Sequence, residues 1–149
     1  MYAGAHHPLP KGATVMPQVA LPALHHLALT VKDVEASIPW YEELFELQRK
    51  MDAPHEGGVG IVLADPEWRL MIVLHRHDEN QGEAFSERRT GLDHAGFMVP
   101  TRAELEAWRA RLEERGIVHS PIADTEYGSI LVFRDPDNIQ LEMFSPPGT

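Results

Sequence analysis

The chain has 149 residues, enough for one domain with a real core or for two small modules that share one. Hydrophobic residues at 43% and charged residues at 24% are those of an ordinary globular protein, and a net charge of −10 argues against nucleic acid or an anionic membrane as partner, because phosphates repel such a surface. The absence of cysteine excludes disulfides, Cys-based zinc sites and thiol nucleophiles, and fits a reducing, cytoplasmic setting.

No run approaches the ~20 apolar residues that span a bilayer, and the start lacks the basic-then-apolar order of a secretory leader. Residues 1–23, with prolines at 8, 10, 17 and 22, are expected to form an extended or flexible arm in which His6 and His7 are solvated. Leu24 to Val31, "LHHLALTV", alternates as a strand. His25, Leu27, Leu29 and Val31 share one face, and Leu24, His26, Ala28 and Thr30 the other. Asp33 is the expected N-cap of a helix over Val34 to Leu47, with apolar residues at Val34, Ile38, Tyr41, Leu44 and Phe45. Pro39 should kink that helix or mark a tight first turn. "DAPHEGGVG" reads as a turn-rich loop, and "GIVLA" and "RLMIVLH", joined by "DPEW", predict a hairpin. "RHDENQGEAFSERRTG" is a polar linker.

The same grammar then returns. Leu92 to Val99, "LDHAGFMV", is a strand; "TRAE" is a capping box that opens a helix over Arg102 to Arg115; Gly116 is its expected stop. "GIVHSPIADTEYG" is strand and loop, and "SILVF" and "NIQLEMF" form a hairpin through "RDPD". A shift of 68 lays His26 on His94, Val31 on Val99, Trp40 on Trp108 and Leu44 on Leu112; a shift of 70 lays Asp65-Pro66 on Asp135-Pro136. The matching order of elements predicts an α+β domain over 24–149 made of two paired βαβββ modules, 24–75 and 92–145, forming a cup-shaped mixed sheet with helices outside. Trp40 and Trp108, at matching helix positions, are expected in the core or at an interface and not as substrate stackers.

The repeat places His26 and His94 on equivalent faces, each with a small residue two places on, Ala28 and Gly96. The opposite face carries the apolar residues that should meet the helices, so both histidines are expected to point into the cup, while His25, of opposite parity, is structural or at the surface. A lone strand histidine is more often a hydrogen-bonded core residue than a ligand; a pair at repeat positions is not lone. Glu142 alternates with Ile139, Leu141 and Met143, and on parity alone it could equally face water. Two inward histidines and one inward carboxylate form a 2-His-1-carboxylate set that leaves positions open for water, substrate or oxygen.

On "HLALTVKDVEASIPWYEELF", "GLDHAGFMV" and "FRDPDNIQLEMF", the chain resembles the vicinal-oxygen-chelate superfamily of glyoxalase I, extradiol dioxygenases, fosfomycin-resistance transferases, methylmalonyl-CoA epimerase and bleomycin-binding proteins. The resemblance covers about residues 24 to 145. It implies a divalent metal (Fe2+, Mn2+, Zn2+ or Ni2+) on His26, His94 and Glu142, a small-molecule substrate, and a homodimer. Glyoxalase I has a fourth ligand, a Glu, at the first-module place matching Glu142, and the epimerase an amide; the shift of 70 puts Ile72 there. That leaves a three-ligand site of the dioxygenase or fosfomycin-transferase kind. His75 and His77 either enter the cavity as an extra ligand or acid/base, or are solvated at a strand end. Tyr127 either donates to a bound oxygen or is an ordinary loop tyrosine, and Arg88 and Arg89 either hold an anionic substrate or are merely exposed. The function implied is a metal-dependent dioxygenase, lyase or transferase; the alternative is a metal-free binding protein of the bleomycin-resistance type. Substrate choice is expected to rest on loops 52–60, 76–91 and 120–129.

Overall fold

The computed structural model describes residues 19–148, so the expected arm lies, through residue 18, outside the described residues, as do His6 and His7; residues 19–26 form no helix or strand. The first module runs β1 (Leu27–Thr30), α1 (Val34–Phe45), β2 (Gln48–His55), β3 (Gly58–Ala64) and β4 (Met71–His77). The second runs β5 (Ala95–Met98), α2 (Arg102–Glu114), β6 (Ala123–Thr125), β7 (Gly128–Arg134) and β8 (Gln140–Ser145). Each module forms its own four-stranded sheet, ordered β1-β4-β3-β2 and β5-β8-β7-β6, with the first strand parallel to the fourth. The βαβββ duplication is thus present element for element.

The caps act as the sequence requires. Asp33 accepts from the amides of Glu35 and Ala36 to open α1, and Thr101 and Glu104 complete a reciprocal capping box on α2. Helix α1 passes through Pro39 and ends at Glu46, and Gly116, at φ 65°, follows α2. Leu29, Val31, Ala95 and Val99 are buried, whereas Ala28, Thr30, Gly96 and Met98 on the alternate face are exposed. One core serves both modules. Phe45 of α1 meets Phe97 and Trp108, at ring separations of 5.0 and 5.7 Å, and Trp40 lies 6.4 Å from Phe133. Full burial of such a side chain is worth about 1.5–3 kcal/mol, and these partly buried rings, packed on the buried Phe133, contribute a share of it to tying the modules together.

Two expectations are corrected. The supposed loop 52–60 is instead a hairpin: β2 reaches His55, Glu56-Gly57 make the turn, and β3 starts at Gly58. Pro54 is accommodated because β2 is an edge strand, where a residue without N–H can leave its outer side unpaired. The second correction concerns register. Asp65 and Asp135 open equivalent turns, but the first closes on Leu70 and the second on Ile139, one residue sooner relative to the repeat. Beyond the turn the repeat offset therefore drops by one. Ala28 lies opposite Val73 just as Gly96 lies opposite Glu142, so the first-module counterpart of Glu142 is Val73, while Ile72 faces the core.

Candidate metal centre

His94 sits one residue before β5 and Glu142 on β8, where Gly96 pairs with Glu142. Asp93 Oδ1 lies 2.7 Å from His94 Nδ1, and His94 Nε2 lies 4.0 Å from Glu142 Oε2. A carboxylate on Nδ1 holds that proton in place and leaves Nε2 as the free lone pair, the tautomer a metal requires. An ion bound to both groups at about 2.1 Å would set them about 3 Å apart, so a side-chain rotation of about 1 Å closes the pair. The Glu142 side chain is 19% exposed and that of His94 40%. Gly96 keeps the approach open: a Cβ there would meet only Glu142 Oε1, at 3.8 Å.

His26 precedes β1 as His94 precedes β5. It is exposed, and its Nδ1 lies 3.0 Å from His25 Nδ1. His25, His26 and His94 line one cleft of about 360 Å³, floored by Leu27, Leu70 and Phe97. The structure thus brings His94 and Glu142 to near-ligating separation and sets His26 on the same cleft. The three do not, in the single chain, converge as a ready cluster. Asp93 was not singled out in the sequence; its adjacency to His94 was the only signal.

Among the described residues, the cluster whose ligating atoms do lie within 4.8 Å of one another is His55, His75 and His77. His75 and His77 are two apart on β4 and face the same side; His55 reaches them from β2 across β3. The intervening strand carries Gly58 opposite His77 and Gly60 opposite His75. Cβ atoms there would lie 2.8 Å from the His55 ring and 2.7 Å from the His75 ring, so the glycines supply the space the imidazoles occupy. Burial, then the neighbouring His55, His77 and His26, hold the His75 pKa below the usual histidine value. His55 escaped sequence reasoning because its segment read as a loop. The available signal was an edge-tolerant Pro54 beside a glycine turn.

Tyr127 lies in the turn between β6 and β7, 66% exposed, its amide donating to Thr125 Oγ1. Arg88 and Arg89 are exposed in the linker, with Arg89 4.0 Å from Glu83.

A family model described as the Glyoxalase/Bleomycin resistance protein/Dioxygenase superfamily matches residues 23–143. The chain is similar to the cadmium-induced protein CadI of Mycobacterium tuberculosis, 31% identical over 113 residues, covering 76% of this chain and 64% of that protein. It is similar to the catechol-2,3-dioxygenase of Bacillus subtilis, 31% identical over 121 residues, covering 78% of this chain and 39% of that one. Among solved structures, a glyoxylase/bleomycin resistance protein/dioxygenase domain from Frankia sp. EAN1pec superposes with a TM-score of 0.78 at 33% identity, covering 87% of this chain and 96% of that one. The chain spans less than two thirds of the length of either curated relative. Among the described residues no helix is long and apolar enough to cross a membrane.

Proposed function

The chain belongs to the glyoxalase/bleomycin resistance protein/dioxygenase superfamily, and from that premise we propose that it is a metal-dependent enzyme that chelates neighbouring oxygens of a small-molecule substrate. The ion is held by His26, His94 and Glu142. The observation that carries this reading is the line from Asp93 through His94 to Glu142, which fixes a free Nε2 toward a half-buried carboxylate. When bound, a divalent ion supplies Lewis-acid stabilisation of charge that develops on a substrate oxygen. The chain's own part is positional. Asp93 retains the Nδ1 proton of His94, Gly96 leaves room for the substrate, and Leu27, Leu70 and Phe97 give the cleft an apolar wall.

Val73 at the fourth place cannot ligate, and this favours the dioxygenase type, whose open positions hold substrate and oxygen together, over a four-ligand lyase. The similarity to a catechol-2,3-dioxygenase supports the same choice. With no cysteine, the donors are imidazole and carboxylate, which suit iron, manganese, zinc or nickel better than thiophilic cadmium. Met98 stays 74% exposed beside the open concave residues Ala28 and Gly96, which supports a homodimer whose second copy covers these faces.

The test is elemental mass spectrometry of the purified protein beside His94→Ala and Glu142→Ala. Iron present in the wild type and lost from both variants is expected. Zinc, nickel or manganese lost in the same way moves the assignment to isomerase, lyase or transferase chemistry. Identical metal content in all three proteins, after reconstitution with each ion, refutes the centre.

A further inference from the structure

We propose that His55, His75 and His77 form a second metal site, on the concave face of the first module, for a divalent transition ion of the imidazole-preferring kind. The geometry is that of ligands around an absent centre. His75 Nδ1 and His55 Nε2 lie 3.3 Å apart, the separation that two ligands about 2.1 Å from one ion at a tetrahedral angle adopt. The His77 ring stands 5.3 Å from that of His55 and 5.7 Å from that of His75, completing a triangle of ring centroids with nearly equal sides.

The backbone is arranged for this triangle. Strands two apart in a sheet are about 9.5 Å apart, too far for imidazoles to meet over ordinary side chains. The strand between β2 and β4 removes the obstacle, with Gly60 beneath His75 and Gly58 beneath both His55 and His77. The second module has Ile130 where the first has Gly60, and it places Phe144 where the first has His75. Gly60 and His75 therefore occur together in one module and are replaced together in the other, while Gly58 persists there as Gly128. The cluster is separate from the His26, His94 and Glu142 set: His75 stands two residues beyond Val73, which occupies the place corresponding to Glu142.

The chemistry of the donors selects the ion. Three neutral imidazoles fit zinc, nickel, cobalt or copper and suit calcium and magnesium poorly. Three ligands leave at least one position free, and because none of them is charged the ion keeps its full positive charge toward that position. Water or an anion is the expected occupant. The cleft in front of it, about 430 Å³ between Ala28, Thr30 and the histidines, has room for either.

Zinc is the probe. A His94→Ala, Glu142→Ala double variant, which lacks the first centre's second-module ligands, is titrated with Zn2+ by calorimetry, and with Co2+ for its absorption spectrum. We expect about one ion bound per chain, with a nitrogen-ligand Co2+ spectrum. Adding His55→Ala or His77→Ala, both exposed positions, should weaken binding at least about tenfold while circular dichroism stays unchanged. A double variant that binds no Zn2+ overturns the proposal and leaves the histidines as hydrogen-bonded imidazoles only. Binding that is indifferent to His55→Ala and His77→Ala overturns it as well. Equal zinc stoichiometry in the double variant and the wild type would count against the first centre and not against this one.

Discussion

The two modules share a backbone and differ in the level at which each places its polar groups. On β8 the concave-face positions are Glu142 and then Phe144; on β4 the matching positions are Val73 and then His75. Each module is apolar where the other is polar. What both keep is what the backbone demands: a glycine at the head of the third strand, Gly58 or Gly128, and an aspartate at the third turn, Asp65 or Asp135. A duplicated frame is thus held fixed by close approaches and turn hydrogen bonds, while the concave face is free to diverge into different chemistry.

The turn aspartates give the largest test of that comparison. Asp135 accepts from Ile139 N, Asp137 N and the buried Tyr41 hydroxyl, at 2.7, 2.9 and 2.8 Å. Asp135→Ala strands these donors and should cost about 3 kcal/mol in urea unfolding. Asp65 accepts from Leu70 N and the exposed Arg69, so Asp65→Ala should cost clearly less. The pH signs are opposite. Burial pushes the Asp135 pKa up despite its hydrogen bonds, so the folded state binds the extra proton above the ordinary carboxylate value, and stability from this group falls as pH rises through that window. The Leu70 amide, then Arg69, pull the Asp65 pKa down, so its contribution is full above the ordinary value and is lost as pH falls below it. Asp135→Asn should abolish the first slope and leave the second. Equal costs for the two alanine variants would show that the buried Tyr41 hydroxyl bond does not differentiate the turns.

How legible this was in the sequence depends on which interactions decide each feature. The strand faces around His26, His94 and Glu142 follow from period-two alternation, and the helix starts follow from Asp33 and Thr101, because local hydrogen bonds settle both. The hairpin at Gln48–His55 was hidden because Pro54 argues against a strand, and only its place at a sheet edge makes it acceptable. The register of β4 was misplaced by one because a single extra residue before Leu70 is invisible without the turn's closing bond. Of the histidine cluster, His75 and His77 were legible as candidates, but His55 was hidden for the same reason, since it joins them only once the edge strand is known.

Glycine substitutions test the shared frame at the next level. A Cβ at Gly58 would run into the Arg76 carbonyl, and one at Gly128, already at φ 144°, into the Ser145 carbonyl and the Phe144 ring. Neither carbonyl can step aside as a flexible side chain does. Gly58→Ala and Gly128→Ala should each cost about 2 kcal/mol by thermal or urea unfolding. Gly96→Ala meets nothing closer than 3.8 Å, and it should be neutral or stabilising by up to about 1 kcal/mol through the unfolded state. If Gly58→Ala proved as mild as Gly96→Ala, the head of β3 would not be a fixed point of the repeat.

The helix ends carry the smallest effect and separate strain from contact. Helix α2 is followed by Gly116 at φ 65°, whereas α1 ends on Glu46 at φ 55°, where a side chain is disfavoured. Gly116→Ala should therefore cost about 1 kcal/mol. The reciprocal change, Glu46→Gly, relieves the same backbone strain but increases the entropy lost on folding. It also removes the partner of Arg111, whose guanidinium lies 2.7 Å from the Glu46 carboxylate and holds its pKa below the usual range. These terms oppose one another, and the expected melting temperature is that of the wild type. Arg111 also donates to the Glu43 carbonyl, at 3.0 Å, and so satisfies a helix-end acceptor that Glu46 cannot. Arg111→Ala should therefore lower the melting temperature more than Glu46→Gly does. The reverse order would mean that the junction between the modules rests on the backbone turn and not on the arginine that bridges it.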